Sequence, residues 1–337
     1  MSDSVHATVV GAGAWGTALA IVLERNGHDV CVWSYERDVA QAINGERRNP
    51  YLEGIVLPER LRAETDLGTA VRGAELVVSA TPSQFVRRVM SDAAPELDSS
   101  ALLVSASKGI ELGTLLRMDE VLGQVLPARL MERFCALSGP SFAKEVAEGV
   151  PTAVAIGSRD EASAGRARAL FQTSSFRVYT NRDVIGVEIG GALKNVIALA
   201  AGATAGLGFG HNTLAAVVTR GLAEITRLGL AVGAERATFY GLAGLGDLVL
   251  TCTGSLSRNR TVGFRLGQGE TLEHILSDMT AVAEGVKTTE AARELARRHG
   301  VEMPITEQMY AILYEGRRPD EALRALMSRD PKPEEWS

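Results

Sequence analysis

Apolar and polar positions follow two regimes along the chain. Up to about residue 186, short and nearly continuous apolar runs recur at residues 7–10, 30–33, 76–80, 101–105, 134–138, 152–156 and 176–179. Such runs suit strands buried on both faces. Amphipathic stretches such as 17–26 and 83–91 lie between them, so the pattern predicts an α/β domain with a mainly parallel, helix-covered sheet. Beyond Gly186 the rhythm changes to long Ala/Leu/Val/Glu/Arg segments, for example 214–228, 281–299 and 304–315, separated by Gly-rich breaks. This half is expected to be all-α. The boundary falls near 183–190, dividing the chain into 1–186 and 187–337. No Pro/Ser-rich linker separates the halves, so they are expected to pack tightly, and the tail 329–337 is expected to be loosely ordered.

Composition agrees with two domains with sizeable cores: 337 residues, 46% hydrophobic and 23% charged. Lys and Arg number 35 against 41 Asp and Glu, a net charge of −6, so nothing in the overall charge draws the molecule to nucleic acid or anionic lipid. A small anionic substrate remains compatible, because a site is local. The first six residues carry no Lys or Arg and do not read as a secretory signal, so the mature chain is expected to begin here. The most apolar later stretch, 186–210, holds Glu188, Lys194 and Asn195, which are costly in lipid; a buried helix of a soluble protein is expected rather than a membrane span. Cys31, Cys135 and Cys252 form no CxxC pair, which fits a reducing cytoplasm. The five histidines have no helical i, i+4 partner, and no metal is expected.

Candidate chemistry starts at Gly11-Ala12-Gly13-Ala14-Trp15-Gly16, which follows the first predicted strand and opens the first helix. In that context a glycine pattern becomes a dinucleotide fingerprint. Gly11 permits a tight turn, Gly13 close approach of a pyrophosphate, and Gly16 close helix–strand packing, with free helix N–H groups facing the phosphates. After the second strand, Ser34 stands where an acid would favour the free 2′-hydroxyl of NAD. Glu36 could reach a ribose and Arg37 a 2′-phosphate, or both could be solvated loop charges; the balance tips slightly to NADP.

Further along, Lys108 follows the 101–105 strand at the sheet edge where ligands bind, or faces solvent. The segment Ser138-Gly139-Pro140-Ser141-Phe142-Ala143 leads into a helix that Ser138 or Ser141 could cap. Lys194 lies in an apolar helix, where burial would lower its pKa toward the range of an acid/base catalyst, unless it snorkels to solvent. Asp247 could cap a helix. Ser257, Arg258 and Asn259 supply neutral and forked donors suited to phosphate, while Arg260 reads as a surface or structural charge.

These motifs, in this order from Gly11 to about Glu315, closely resemble the bacterial NAD(P)-dependent glycerol-3-phosphate dehydrogenases. The resemblance rests on the fingerprint, Ser107-Lys108-Gly109, the 138–145 segment, Ala192-Leu193-Lys194-Asn195, and Leu250–Gly254 running into Ser257-Arg258-Asn259-Arg260. It implies a Rossmann-like NAD(P)-binding domain followed by a helical substrate domain. Along the cofactor it places Gly11, Gly13, Ala14, Trp15, Gly16, Tyr35, Lys108, Ala143, Arg258, Val282 and Glu284. Around the triose phosphate it places Lys108, Gly139, Ser141, Lys194, Asp247, Ser257, Arg258 and Asn259, with Lys194 and Asp247 catalytic. It further implies a homodimer, a cytoplasmic location and glycerol 3-phosphate for phospholipid synthesis. One departure is His211, where the family usually has an acid; the helix after it is expected to be capped by Asn212 or Thr213 instead. The rivals are a related β-hydroxyacid dehydrogenase, which shares the fold but recognises a carboxylate, and an NAD(P)-sensing regulator without turnover.

Overall fold

The computed structural model describes residues 4–279 and 282–330. Eight strands, β1 His6–Val10, β2 Asp29–Trp33, β3 Arg62–Glu64, β4 Leu76–Ser79, β5 Leu102–Ser105, β6 Phe134–Ser138, β7 Thr152–Gly157 and β8 Phe176–Asn181, form one sheet in the order β3-β2-β1-β4-β5-β6-β7-β8. The first six run parallel; β7 turns antiparallel to β6, and β8 follows it in parallel. All seven expected strands are present. β3 was missed because Arg62-Ala63-Glu64 is an edge strand with no apolar run to betray it.

Register explains why the central strands read as unbroken apolar runs. Val32, Val9, Val78 and Val104 line up across four strands on one face, under Leu19 and Leu23 of the helix Ala14–Arg25. The next row, Trp33, Val10, Ser79 and Ser105, faces the other way, toward Val86 and Met90 of the helix Val86–Ala93. Burial of both faces removes the alternation a one-sided sheet would show. The order reverses at β1, which lies between β2 and β4, and this opens a crevice at the strands' carboxyl ends.

The last strand ends at Asn181 and the helix Val184–Gly206 begins three residues later. Asp183 caps it, accepting from Gly186 N–H at 2.8 Å, and also takes Glu235 N–H and the Thr238 hydroxyl. By length and composition this helix could cross a membrane, yet it is wrapped by the helices His211–Ala231, Asp247–Thr253, Arg258–Gly267 and Glu284–Arg298 and rests on β6 and β7. It is therefore the common core of the helical half and its seam with the sheet. His211–Ala231 starts one residue before its expected caps, with Gly210 at the cap position and no side-chain bond; Asn212 and Thr213 lie inside the first turn. Of the expected segments, residue 281 of the 281–299 helix, residues 331–337 of the tail and residues 1–3 of the start lie outside the described residues.

Candidate active site

The glycine loop is built by contact. Gly11 has φ +127°, and a Cβ there would lie 2.9 Å from the Ala80 backbone; one on Gly16 would lie 2.0 Å from the Gly11 carbonyl oxygen. Side chains at either position would push the first helix off the sheet. At Gly13, the cap of that helix, a Cβ would meet nothing within 4 Å and no side chain bonds the helix N-terminus. The loop therefore leaves open space in front of backbone N–H donors, which fits a pyrophosphate. Trp15 packs against the core with its indole N–H buried and without a partner.

A second opening lies past β2. A cavity of about 540 Å³ there is lined by Trp33, Tyr35, Arg37, Asp66, Arg88 and Asp92 among others, with Tyr35 72% exposed. Ser34 turns inward, its hydroxyl donating to the Glu36 carbonyl, and the Glu36 carboxylate takes the Tyr51 hydroxyl at 3.2 Å.

The polar centre lies where the long helix crosses the carboxyl ends of β5 and β6. Lys194 is 7% exposed and Asp247 1%. Lys194 Nζ donates to Asp247 Oδ1, Lys108 Nζ donates to Asp247 Oδ2 at 2.9 Å, and the Ser138 hydroxyl donates to Oδ2 at 3.4 Å. The close approach depends on small residues, since a Cβ on Gly191 would lie 2.5 Å from the Ser138 hydroxyl oxygen. Lys108 also reaches the Gly139 carbonyl at 3.5 Å and sits 5.9 Å from the Trp15 ring centroid, so it stands between the dinucleotide loop and the ion pair.

With both lysines protonated, two ammoniums around one carboxylate leave a local excess of one positive charge, against the sign of the whole molecule. Burial lowers the Lys194 pKa to about 7; Asp247 works against this and Lys108 with it. Burial would raise the Asp247 carboxyl, but the two lysines outweigh it and hold the pKa below the usual value. A lysine poised near neutrality can both give and take a proton at the working pH. The cysteines are of the opposite kind: all three are buried and unpaired, and burial pushes Cys31 up to about 11 and Cys135 and Cys252 up to about 12.

Other sequence candidates surround this centre less evenly. Ser141 caps nothing; its hydroxyl donates to the Gly139 carbonyl at 2.9 Å, and Phe142 occupies the cap position of the helix Ala143–Glu148, so the expected Ser138 or Ser141 cap is corrected. Ser138 serves Asp247 instead. Asp247 opens the helix Asp247–Thr253 rather than capping it, and its carboxylate is given to the lysines. Ser257 caps the helix Arg258–Gly267 through Arg260 N–H. Arg258, exposed at its first position, carries no ion pair to the described residues. The Asn259 amide donates to Asn195 at 3.0 Å and accepts from Gly285 N–H at 2.9 Å, pinning three helices together. Glu284 spans the two halves: its carboxylate accepts from the Ser83 hydroxyl at 2.7 Å and the Ser83 N–H at 3.2 Å, and burial raises its pKa despite those bonds. Val282 is exposed beside it. Sequence reasoning missed Ser83 and the service of Ser138 to Asp247, because both depend on contacts distant in the chain.

A glycine-turn dinucleotide domain joined to a helical domain that buries a lysine–carboxylate pair at the sheet edge defines the two-domain nicotinamide-dependent dehydrogenases. The family described as NAD-dependent glycerol-3-phosphate dehydrogenase matches with its N-terminal part over residues 6–164 and its C-terminal part over 183–324. The chain belongs to that family. It is 55% identical over 327 residues to glycerol-3-phosphate dehydrogenase [NAD(P)+] of Citrifermentans bemidjiense, covering 97% of this chain and 98% of that protein. It is 56% identical over 329 residues to the enzyme of the same description from Geobacter sulfurreducens, with the same coverage. Its structure superimposes on the crystal structure of glycerol-3-phosphate dehydrogenase from Coxiella burnetii with a TM-score of 0.92 at 38% identity, covering 97% of this chain and 99% of that one. A D-mandelate dehydrogenase structure with NADH shares the fold alone, at 13% identity and a TM-score of 0.62 over 94% of this chain and 99% of that one.

Proposed function

We propose that the protein interconverts dihydroxyacetone phosphate and sn-glycerol 3-phosphate with NAD(P)H, as an NAD(P)-dependent glycerol-3-phosphate dehydrogenase. The observation that carries the reading is the buried Lys194–Asp247 pair with partly buried Lys108, at the carboxyl end of the dinucleotide sheet. Gly11, Gly13, Ala14, Trp15 and Gly16 would hold the pyrophosphate, Tyr35 the adenosine, and Lys108, Ala143, Arg258, Val282 and Glu284 the nicotinamide half. When bound, the nicotinamide supplies or accepts the hydride.

The chain's own residues manage protons and charge. In ketone reduction, protonated Lys194 donates to the carbonyl oxygen as it becomes a hydroxyl; in the reverse direction neutral Lys194 removes that proton. Asp247 aims both ammoniums, and Lys108 steadies negative charge on the substrate. Arg258 and Ser257 hold the phosphate at a helix N-terminus, with Gly139 and Ser141 shaping the opposite wall. Asn259 adds its remaining N–H.

The domains are read as 1–186 for the cofactor and 187–337 for the substrate. A cytoplasmic location is supported by three free thiols, and a homodimer by the apolar residues left exposed at Phe209, Ala215 and Ala216. The product would feed phospholipid synthesis. The test is loss of reduced-nicotinamide absorbance with dihydroxyacetone phosphate, set against unphosphorylated dihydroxyacetone and keto acids. Turnover only with keto acids would favour the β-hydroxyacid dehydrogenase, and binding without any turnover the sensor.

A further inference from the structure

Each ketone reduction leaves Lys194 one proton short, and a small polar cavity adjoins its cluster through Lys108 and Ser138. That cavity, of about 10 Å³, has room for a single water molecule and is lined by Ser105, Ser107, Lys108, Ser138 and Glu188 among others. Ser107 spends its hydroxyl on the Thr81 carbonyl at 2.6 Å, and Lys108 its ammonium on Asp247. The Ser105 hydroxyl is buried, its residue 2% exposed, and makes no hydrogen bond to the described residues. Ser138 donates to Asp247 and keeps its own lone pairs for a donor.

Glu188 forms another wall. Its side chain is 6% exposed, and its Oε1 accepts from Asp119 N–H at 3.0 Å. Asp119 belongs to the helix Met118–Val125 and Glu188 to the helix Val184–Gly206, so the two acids meet across the seam of the two halves. Arg117 lies 3.1 Å from Asp119 Oδ1, 3.6 Å from Glu188 Oε2 and 3.3 Å from Glu120. It donates a hydrogen bond to neither Oδ1 nor Oε2, and both atoms are buried without a donor among the described residues. Two adjacent acceptors in that position call for a proton carried by Glu188 itself. Burial pushes the Glu188 pKa well up, the Asp119 carboxylate adds to this, and Arg117 opposes it. Glu188 is therefore a neutral acid with a proton to give. On its far side Asp119 Oδ2 takes Arg159 at 3.0 Å, and that arginine's side chain is 66% exposed, so the acid pair reaches toward solvent there.

We propose that Glu188 returns a proton to the Lys194–Asp247 pair through one water molecule held between Glu188, Ser105 and Ser138. This rests on the reading that Lys194 gives the proton in ketone reduction. Only protons move. Glu188 gives one to the water, the water gives one to Ser138, and Ser138 releases its own to Asp247 Oδ2, to which it already donates at 3.4 Å. On the pair that proton settles as the Lys194 ammonium, and Glu188 is reloaded from solvent through Asp119. Three polar partners are what a buried water needs.

Stopped-flow single turnovers with reduced cofactor and dihydroxyacetone phosphate, read at once by nicotinamide absorbance and a pH-indicator dye, test it. In the native protein proton uptake should keep pace with hydride transfer. Glu188→Gln has the shape and charge of the neutral acid but no acidic proton to pass on. Hydride transfer should therefore be unchanged, while uptake waits for product release and lags by ~10-fold or more. Ser105→Val puts a methyl group where the water sits and should give the same lag, which keeps the test decisive if thermal melts show that Glu188→Gln does not fold. Uptake in step with hydride transfer in either folded variant overturns the relay, and so does a native protein whose uptake already waits for product release. Equal slowing of both signals in the variants marks a structural role and overturns it too. A native protein that binds reduced cofactor but transfers no hydride to dihydroxyacetone phosphate overturns the reading of the reaction, and the relay with it.

Discussion

Replacing Asp247 by Asn keeps the shape of the side chain and deletes its charge. In the native protein that carboxylate is 1% exposed and holds Lys194 on one oxygen and Lys108 on the other. At an effective dielectric near 20 an ion pair is worth ~4 kcal/mol at about 4 Å and somewhat more at contact. At roughly 1.4 kcal/mol per pK unit, losing it would lower the proton affinity of Lys194 by up to ~3 units. Burial has already brought that lysine to about 7. Ketone reduction needs the protonated form, so the pH at which reduction is lost should move down by roughly 2–3 units, and the rate near neutrality should fall ~100- to 1000-fold. Acidification should restore part of it. The assay is kcat/KM for dihydroxyacetone phosphate between about pH 4 and 9, with thermal melts alongside, because stripping the partner from buried charges also costs about 3–5 kcal/mol of stability. A folded Asp247→Asn enzyme whose midpoint is unmoved would refute the electrostatic reasoning.

Three further outcomes follow from other parts of the structure. Arg258→Ala should raise KM for dihydroxyacetone phosphate by ~10-fold or more, the scale of a lost charge-assisted bond, with a smaller change for unphosphorylated dihydroxyacetone; equal KM values would move the phosphate site elsewhere. Gly16→Ala should abolish tight dinucleotide binding, measured by calorimetry, because its Cβ would fall 2.0 Å from the Gly11 carbonyl oxygen; native affinity would contradict the packing. Glu224 is buried, accepts from Ile305 N–H at 2.6 Å and Thr306 N–H at 3.2 Å at the start of the helix Pro304–Tyr314, and burial raises its pKa to about 7. Its folded form holds a proton more tightly than the unfolded chain does, so the stability it lends is full below the ordinary carboxyl range and is lost as pH rises through about 7. The Tm of the native protein should therefore drop relative to Glu224→Gln between about pH 5 and 8, and parallel Tm curves would contradict this.

The sheet was legible because burial on both faces imposes a local signature, the unbroken apolar run; β3 escaped because an edge strand of Arg62-Ala63-Glu64 needs none. Lys194 was visible as a charge inside an apolar helix, but its alternatives, snorkelling or burial, are separated only by what packs over it. Asp247, 53 residues later, decides the matter, and nothing local to either residue states that they meet. The same holds for Ser83 and Glu284, 201 residues apart. The helix-cap expectations failed for different reasons: Ser138 is taken by the distant Asp247, Ser141 by the Gly139 carbonyl two residues back, and the helix His211–Ala231 starts early enough to put Asn212 and Thr213 inside its first turn.

The central claim is that one ammonium, that of Lys194, gives the proton as the ketone is reduced. Steady-state turnover of Lys194→Ala, measured with cofactor affinity and with small primary amines added, tests it most directly. The account predicts a kcat at least ~100-fold below native, unchanged dinucleotide binding, and partial recovery with the amines. Turnover near the native rate in a folded variant would contradict it.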